Sequence, residues 1–193
     1  MDLNSRIKNR KLHLKSCKTI VTDTLGQRYE EANGEKKVLA PGTPFVVDNK
    51  PDLQVARIIP GLFLSSQDPV VHKELLQQYE IRHILSVGID APIKYDFIKY
   101  YYCDLLDLPE SNLLAVVKKC VRIIHENRDE NILVHCNAGV SRSSAIVISY
   151  LMALENIKYD DAHDRVKMIR NCIKPNEGFV QQLKTLSLSS LLQ

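Results

Sequence analysis

Cys136 and Arg142 stand six positions apart, and the residues between them suit the binding of an oxyanion. With one valine as the exception, these residues are small or polar: Asn137, Ala138, Gly139, Val140 and Ser141. Their backbone N–H groups can curl around an anion, and Gly139 supplies a backbone angle that other residues resist. Arg142 adds a planar guanidinium that binds two phosphate oxygens at once. We therefore expect residues 137–142 to form a phosphate-binding loop.

Cys136 is the candidate nucleophile beside this loop. The thiolate is the reactive form of cysteine, and a helix N-terminus together with an adjacent cation stabilises it. Ser143 can donate a hydrogen bond to the thiolate when it becomes the leaving group, and His135 can orient the loop through hydrogen bonds. The His135 side chain points away from that of Cys136 if the strand continues this far. The pattern GxxxxGK followed by serine or threonine is absent, so the loop is not expected to bind ATP.

The loop lies between a strand pattern and a helix pattern within residues 132–152. Elsewhere in the chain, β-branched runs alternate with apolar residues at helical spacing. The strand patterns cover residues 55–59, 62–64, 81–88, 98–106 and 131–136, and the helical patterns cover residues 69–79, 112–127, 142–155, 159–170 and 176–188. This alternation predicts an α/β fold with a central, largely parallel sheet flanked by helices. In such sheets, ligands bind beyond the carboxyl ends of the strands.

The composition of the chain and the positions of its glycine and proline residues indicate one domain with an N-terminal extension. The chain has 193 residues, of which 45% are hydrophobic and 25% charged, as in an ordinary globular protein. Residues 26–51 are polar and rich in glycine and proline, and we interpret them as a linker. We expect a basic N-terminal segment and linker at residues 1–51, with a short strand or helix within residues 3–25. The main domain is expected at residues 52–190.

Charge and cysteine patterns exclude several function classes. Residues 1–20 hold six basic residues and one acidic residue, so the rest of this +3 chain is net acidic and lacks the broad basic face of a nucleic-acid-binding protein. No apolar run suffices for a membrane span or a secretory signal, so we expect no membrane partner and a cytoplasmic location, with the nucleus as the alternative. Five cysteines without a CxxC pair indicate neither a disulfide framework nor a metal site. We expect no cofactor.

The segment HCNAGVSRS at residues 135–143, followed by Tyr150-Leu151-Met152 in a helical pattern, resembles the signature of the cysteine-dependent dual-specificity protein phosphatases. The resemblance extends over about residues 52–190 and is closest to the small atypical members of that family. DLQVARIIPGLFLSSQD resembles the opening strands of the family, and IKPNEGFVQQL at residues 173–183 resembles its closing helix. One departure is Asn171, which stands where the family has a proline.

The resemblance implies a central mixed sheet flanked by helices, with the phosphate-binding loop between a strand and a helix. It also implies a phosphatase that acts on phosphotyrosine and on phosphoserine or phosphothreonine through a cysteinyl-phosphate, without a metal. Its partners would be phosphorylated protein substrates. A role in stress-activated mitogen-activated kinase signalling, with kinases of that pathway as partners, is implied in the same way.

A leaving alkoxide or phenoxide must be protonated, so the reaction needs a general acid. The family places an aspartate about thirty residues before the cysteine. Asp107, within DLPES, lies 29 residues before Cys136 and is our candidate. Asp104 is the alternative, although it falls inside a predicted strand, and Asp90 and Asp96 come next.

Several other residues have structural interpretations. Asp107 can instead cap the helix that begins near Asn112, and Asn176 is expected to tie the last helix to the phosphate-binding loop. Cys172 can pair with an oxidised Cys136, but we favour a buried or idle thiol. Four histidines lie at no metal-ligand spacing and are expected to be surface or core residues: His72, His83, His125 and His163.

Two alternatives to a protein phosphatase remain. A phosphatase of phosphoinositides or of RNA phosphates would need additional cations in the loop, which residues 137–141 lack. A non-catalytic phosphate-recognition or scaffold protein would keep the fold and use the basic N-terminal segment to dock on kinases. The presence of Cys136, Arg142 and Asp107 favours an enzyme.

Overall fold

The computed structural model describes residues 19–22, 28–32, 35–39 and 51–186 of the chain. The chain divides into two compact units, residues 1–50 and residues 51–193. The first unit contains an antiparallel sheet of three strands in the order β1-β2-β3. These strands are β1 (Thr19–Thr22), β2 (Arg28–Ala32) and β3 (Glu35–Val38).

The antiparallel pairing of β2 with β3 shows that part of residues 26–51, which we interpreted as a linker, forms regular strands. Ala32 pairs with Glu35, and Glu31 lies opposite Lys36, with which it forms an ion pair of 2.9 Å. Oppositely charged residues that face each other across an antiparallel pair stabilise it. The dipeptide Asn33-Gly34 is typical of two-residue hairpin turns, and our interpretation overlooked this signal.

The second unit is built on a five-stranded sheet in the order β4-β5-β8-β6-β7. Strand β4 is antiparallel to β5, whereas β5, β8, β6 and β7 are parallel to one another. This confirms the predicted α/β fold with a central mixed, largely parallel sheet. The strands are β4 (Ala56–Ile59), β5 (Leu62–Ser65), β6 (His83–Val87), β7 (Lys99–Cys103) and β8 (Ile132–His135).

Five α-helices accompany this sheet in the described residues. They are α1 (Lys73–Gln78), α2 (Leu114–Asn127), α3 (Arg142–Glu155), α4 (Tyr159–Ile169) and α5 (Glu177–Lys184). The prediction of one helix over residues 69–79 is wrong in part. Asp68–Val71 forms a 3₁₀ turn, and His72 with φ −101° and ψ 95° is extended, so α1 begins only after it. Strand β7 also ends three residues before the predicted end of the 98–106 strand.

The sheet is covered on both faces, which explains why its strands are apolar along their whole length. Alternate residues of a strand point to opposite faces. Phe63 and Leu133 accordingly pack with Leu76 of α1 in one cluster. Leu62 and Leu64, their neighbours on β5, pack in a second cluster formed with helices α2 to α5.

Helix α3 is the centre of the second cluster. All of its residues from Ser143 to Met152 are buried, as expected for a helix that is apolar around its circumference. It follows β8 after a short loop, so the carboxyl end of a central strand leads directly into the N-terminus of a buried helix. Within the described ranges, no helix has the length and apolar character needed to cross a membrane.

Candidate active site

Cys136 directly follows β8 and lies at the N-terminus of α3. Its side chain is only 2% exposed, and Ser143 Oγ donates a hydrogen bond to its sulfur over 3.1 Å. Ser143 is itself buried in the first turn of α3. A hydroxyl donor and a helix N-terminus both stabilise negative charge on the sulfur.

The backbone carbonyls of residues 136–141 are all engaged by donors outside this segment. Five of these donor atoms belong to four residues that flank the loop or lie far from it in sequence, and the other two, Ser144 Oγ and the Ala145 N–H, come from the start of α3. Cys136 O accepts from His135 Nδ1 (3.3 Å), Asn137 O from Gln67 N (2.9 Å), Ala138 O and Gly139 O from Arg170 Nη2 and Nε (3.1 Å each), Val140 O from Lys174 N (2.8 Å) and Ser144 Oγ (2.6 Å), and Ser141 O from Ser144 Oγ (2.8 Å).

This pattern makes the loop a cradle for an anion. The C=O and N–H of a trans peptide point in opposite directions, so turning the carbonyls outward directs the N–H groups to the inside of the loop. Among the described residues, no acceptor engages the N–H groups of residues 137–141. Gly139 has φ +65°, and a Cβ there would overlap with the Ser65 carbonyl, so only glycine suits this position.

Arg142 is held between the end of β6 and the loop that contains Asp107. Gly88 has φ +74°, and a Cβ at this position would collide with the Arg142 guanidinium and the Leu105 carbonyl. Arg142 Nε lies 3.9 Å from Asp107 Oδ2 and makes no hydrogen bond to another described residue. The guanidinium is therefore confined beside the loop, and its Nε has no hydrogen-bond partner among the described residues.

Asp107 is fixed by two donors on one of its oxygens. Oδ1 accepts from Ser141 Oγ over 2.7 Å and from Asn176 Nδ2 over 2.8 Å. Oδ2, the oxygen nearer Arg142, has no such donor in the described part of the chain. The Asp107 side chain is 39% exposed, so it lies at the protein surface beside the loop.

The alternative candidates for the general acid, Asp104 and Asp90, do not make the contacts that Asp107 makes. Asp104 is exposed and accepts a long hydrogen bond of 3.5 Å from Tyr102 OH. Asp90 forms an ion pair with Lys94 at 2.8 Å. The N–H of Ala115 donates to Asn112 Oδ1 over 3.1 Å, so the start of α2 is capped by Asn112 and not by an aspartate. Of the candidate acids, the structure brings Asp107 to the loop.

Helix α5 holds the loop that carries Asp107. Asn176 caps α5 by accepting from Phe179 N (3.0 Å), and its own N–H donates to Ser141 Oγ (3.0 Å). A Cβ at Gly178 would overlap with the Pro109 carbonyl, so the helix backbone contacts that loop directly. Gln182 extends this attachment by donating to the Ser111 carbonyl (2.8 Å) and accepting from the Leu113 N–H (2.9 Å). Asn176 thus connects the last helix both to the phosphate-binding loop and to Asp107.

His135 lies completely buried beneath the loop. Burial lowers its pKa from 6.5 to about 4, so the imidazole is neutral at neutral pH. A carbonyl only accepts, so Nδ1 carries the proton and donates it to Cys136 O. Nε2 then accepts from Ser86 Oγ over 2.8 Å. Ser86 is a supporting residue that sequence reasoning missed.

Arg170 is a second residue that sequence reasoning missed. It is completely buried, and its guanidinium donates to two carbonyls of the loop. One signal was available: Arg170 continues the stripe of buried residues Tyr159, Ala162 and Val166 on α4. An arginine on the apolar stripe of a helix requires buried partners.

The remaining cysteine and histidine candidates make no hydrogen bond to the loop among the described residues. Cys172 is exposed, not buried as one of our interpretations had it, whereas Cys103 and Cys120 are buried. His83 contacts Glu130 and His125 contacts Tyr150. In the part of the chain that the structure describes, no three histidine, cysteine or carboxylate side chains come together as metal ligands.

Comparison with known families decides the identity of the fold. The model of the family described as "Dual specificity phosphatase, catalytic domain" matches residues 62–187. This chain belongs to the dual specificity phosphatase family. The resemblance inferred from HCNAGVSRS is thereby confirmed, and the protein is a dual specificity protein phosphatase.

Relatives of this dual specificity phosphatase agree in sequence and in fold. Dual specificity protein phosphatase 19 of Mus musculus is 38% identical over 196 residues, which cover 95% of this chain and 89% of that protein. The crystal structure of DUSP15 superposes with a TM-score of 0.64 at 32% identity, covering 67% of this chain and 85% of the other. The human tyrosine phosphatase-like serine/threonine/tyrosine-interacting protein gives a TM-score of 0.63 at 34% identity, covering 67% and 92%.

Proposed function

We propose that this phosphatase hydrolyses phosphotyrosine and phosphoserine or phosphothreonine in proteins through a phosphate bound covalently to Cys136. The observation that supports this most is that donors outside residues 136–141 engage all six carbonyls of this segment, which begins at Cys136. It directs backbone donors towards the position of a bound phosphate. The proposed phosphate-binding residues are those that follow the nucleophile Cys136: Asn137, Ala138, Gly139, Val140, Ser141 and Arg142.

In the first step, the Cys136 thiolate attacks phosphorus and the bond to the ester oxygen breaks. Asp107 Oδ2 gives its proton to the departing oxygen, so a neutral tyrosine, serine or threonine leaves. Arg142 binds two of the equatorial phosphate oxygens, where charge is concentrated in the transition state. The two donors on Asp107 Oδ1 leave Oδ2 as the oxygen that carries the proton.

In the second step, water attacks the phosphorus of the cysteinyl-phosphate and transfers a proton to Asp107. The sulfur–phosphorus bond breaks and inorganic phosphate leaves. Cys136 departs as a thiolate, and the hydrogen bond from Ser143 stabilises it at that moment. Ser143 therefore acts mainly in this step.

The residues of the loop favour protein substrates over polyanionic ones. No side chain among residues 137–141 is cationic, whereas phosphoinositides and RNA phosphates carry several charges that need cationic partners. By the same family resemblance, we propose phosphorylated kinases of stress-activated mitogen-activated kinase signalling as partners. Four free thiols in the described residues suit a reducing compartment such as the cytoplasm or nucleus.

The six basic residues within residues 1–20 make a scaffold role a second candidate. A neighbour in fold is named as an interacting protein that is phosphatase-like, so the fold alone does not settle activity. The cysteine, the guanidinium and the carboxylate of a complete site are all present here. An assay of turnover separates the two functions.

Turnover of an aryl phosphate, followed by acid quench with labelled substrate, tests the proposal. We expect hydrolysis that a chelator does not inhibit, and labelled phosphate on Cys136. Cys136→Ser should abolish turnover while keeping the fold, because a protonated hydroxyl is a far weaker nucleophile. Cys172→Ser, which replaces an exposed thiol, is the matched control and should keep full activity.

A panel of phosphopeptides then tests the substrate class. We expect release of phosphate from phosphotyrosine and from phosphothreonine or phosphoserine peptides. Label found on a histidine or serine, activity that a chelator removes, or turnover by Cys136→Ser would each contradict the mechanism. Binding of phosphoproteins without any turnover would favour the scaffold function.

A further inference from the structure

Arg170 supports the phosphate-binding loop from the side opposite to the anion. Its Nε donates to Gly139 O and its Nη2 to Ala138 O, each over 3.1 Å. The side chain is completely buried. An arginine cannot lose its proton in a protein, so this cation needs a buried or partly buried anion nearby.

Asp52 is that anion. Its Oδ2 forms an ion pair with Arg170 Nη2, and Gln54 Oε1 accepts from Arg170 Nη1 over 3.2 Å. In sequence, Asp52 lies 118 residues before Arg170, at the beginning of the second compact unit. The first residues of the second unit therefore contribute the counter-ion of Arg170.

Asp52 is held in place by its own backbone contacts. Its N–H donates to Asp68 Oδ2 over 2.8 Å, its carbonyl accepts from Ser66 Oγ over 2.8 Å, and its Oδ1 accepts from Gln54 N over 3.2 Å. Ser66 and Asp68 directly follow β5, and Gln67 between them donates to Asn137 O. The carboxylate thus has a defined position relative to the loop.

We propose that Asp52 positions the phosphate-binding loop through Arg170, a role that rests on the function proposed above. Ala138 O shares a peptide unit with Gly139 N–H, and Gly139 O shares one with Val140 N–H. Because the two groups of a trans peptide point in opposite directions, the Arg170 fork turns these two N–H groups towards the phosphate. Asp52 fixes the orientation of the Arg170 guanidinium and balances its positive charge.

This role differs from a contribution to stability alone. A variant that only unfolds in part has fewer active molecules, which lowers the apparent kcat but leaves the affinity of the folded molecules for phosphate unchanged. A misdirected loop weakens phosphate binding in every molecule. The inhibition constant of inorganic phosphate therefore separates the two effects.

The test compares Asp52→Asn with the wild-type full chain in aryl phosphate hydrolysis, with inorganic phosphate as competitive inhibitor. Loss of one charge-assisted contact corresponds to roughly a ten-fold rise in the inhibition constant and a similar fall in kcat/KM. Asp160→Asn is the matched control, because Asp160 forms an exposed ion pair with Lys184 at 2.9 Å away from the loop. We expect the control to behave as wild type. A folded Asp52→Asn with unchanged phosphate inhibition would overturn the proposal.

A double-mutant cycle with Arg170→Lys tests whether Asp52 acts through Arg170. Lysine keeps the charge but cannot donate to both carbonyls in the fixed geometry of a guanidinium. Adding Asp52→Asn to Arg170→Lys should then change the inhibition constant by less than about two-fold, since the shared pathway is already lost. A further full ten-fold change would mean that Asp52 acts by another route, and the proposal would be wrong.

Phosphate binding is also measured without turnover, as the rise in thermal unfolding temperature that phosphate produces. If wild type binds phosphate but hydrolyses no ester, the proposed function fails, and the binding by Asp52→Asn still decides the role of Asp52. If Asp52→Asn does not fold, Asp52→Ser replaces it, because the short hydroxyl side chain also removes the carboxylate that pairs with Arg170. We expect roughly ten-fold weaker phosphate binding by that variant, and unchanged binding would overturn the proposal.

Discussion

Acid should destabilise this protein through His135. The imidazole is completely buried, and burial lowers its pKa from 6.5 to about 4. Between these two pH values the unfolded chain binds a proton that the folded chain does not. The stability that depends on the neutral imidazole is therefore fully present above pH 6.5 and is lost as the pH falls towards 4.

The size of the loss follows from the two pKa values. Between pH 7.5 and pH 5, this one group lowers the free energy of unfolding by about 2 kcal/mol. The structural reason is that a protonated His135 would have to donate from both nitrogens. Nδ1 already donates to Cys136 O, and Ser86 Oγ would have to turn and accept from Nε2. The cost is therefore that of a cation in a completely buried site, where no carboxylate of the described residues hydrogen-bonds to it.

Urea unfolding at pH 7.5 and pH 5 measures this effect in wild type and in His135→Asn. The asparagine amide can still donate to Cys136 O but does not titrate, so the variant should lose about 2 kcal/mol less between the two pH values than wild type does. His163→Asn, at a partly exposed histidine beside Asp164, should behave as wild type. Equal losses in wild type and His135→Asn would refute the reasoning.

Two further predictions concern the reacting groups. Arg142→Lys should be nearly as inactive as Arg142→Ala in aryl phosphate hydrolysis, since binding two oxygens needs the planar fork; a lysine variant with most of the activity would contradict this. Gly178→Ala should displace Pro109 and reproduce in weaker form the loss expected of Asp107→Asn, which is about 10²–10⁴-fold in kcat for poor leaving groups. The losses in kcat of Gly178→Ala and of Asp107→Asn should both be much smaller for a substrate with an acidic aryl leaving group, as measured over a series of substrates. A loss in Asp107→Asn that does not depend on the leaving group would exclude Asp107 as the acid.

The sequence was sufficient to predict residues whose partners lie close by in the chain. Cys136, Arg142 and Ser143 fall within one strand–loop–helix unit, and the helix brings Ser143 Oγ to 3.1 Å from the sulfur. The spacing of the apolar residues also predicted the sheet and the long helices, because each of these has a period that reflects burial on a defined face.

Contacts between distant segments could not be predicted in this way. Arg170 binds the loop 31 and 32 residues away and Asp52 across 118 residues, and only the packed fold brings them together. Ser86 reaches His135 because β6 and β8 are neighbours in the sheet. The break at His72 depends on a single extended residue, which leaves little trace in the periodicity of so short a helix.

The shape of the proposed phosphate-binding loop therefore does not depend on the Cys136 to Arg142 motif alone. A five-residue loop has no means of turning its own carbonyls outward, because those carbonyls need donors that lie elsewhere. Here the donors come from β8, from the turn after β5, from the segment after α4 and from α3, and together they engage the carbonyls of residues 136–141. The motif supplies the sulfur and the guanidinium. The rest of the fold supplies the hydrogen-bond donors for the loop carbonyls, which would otherwise bond with water.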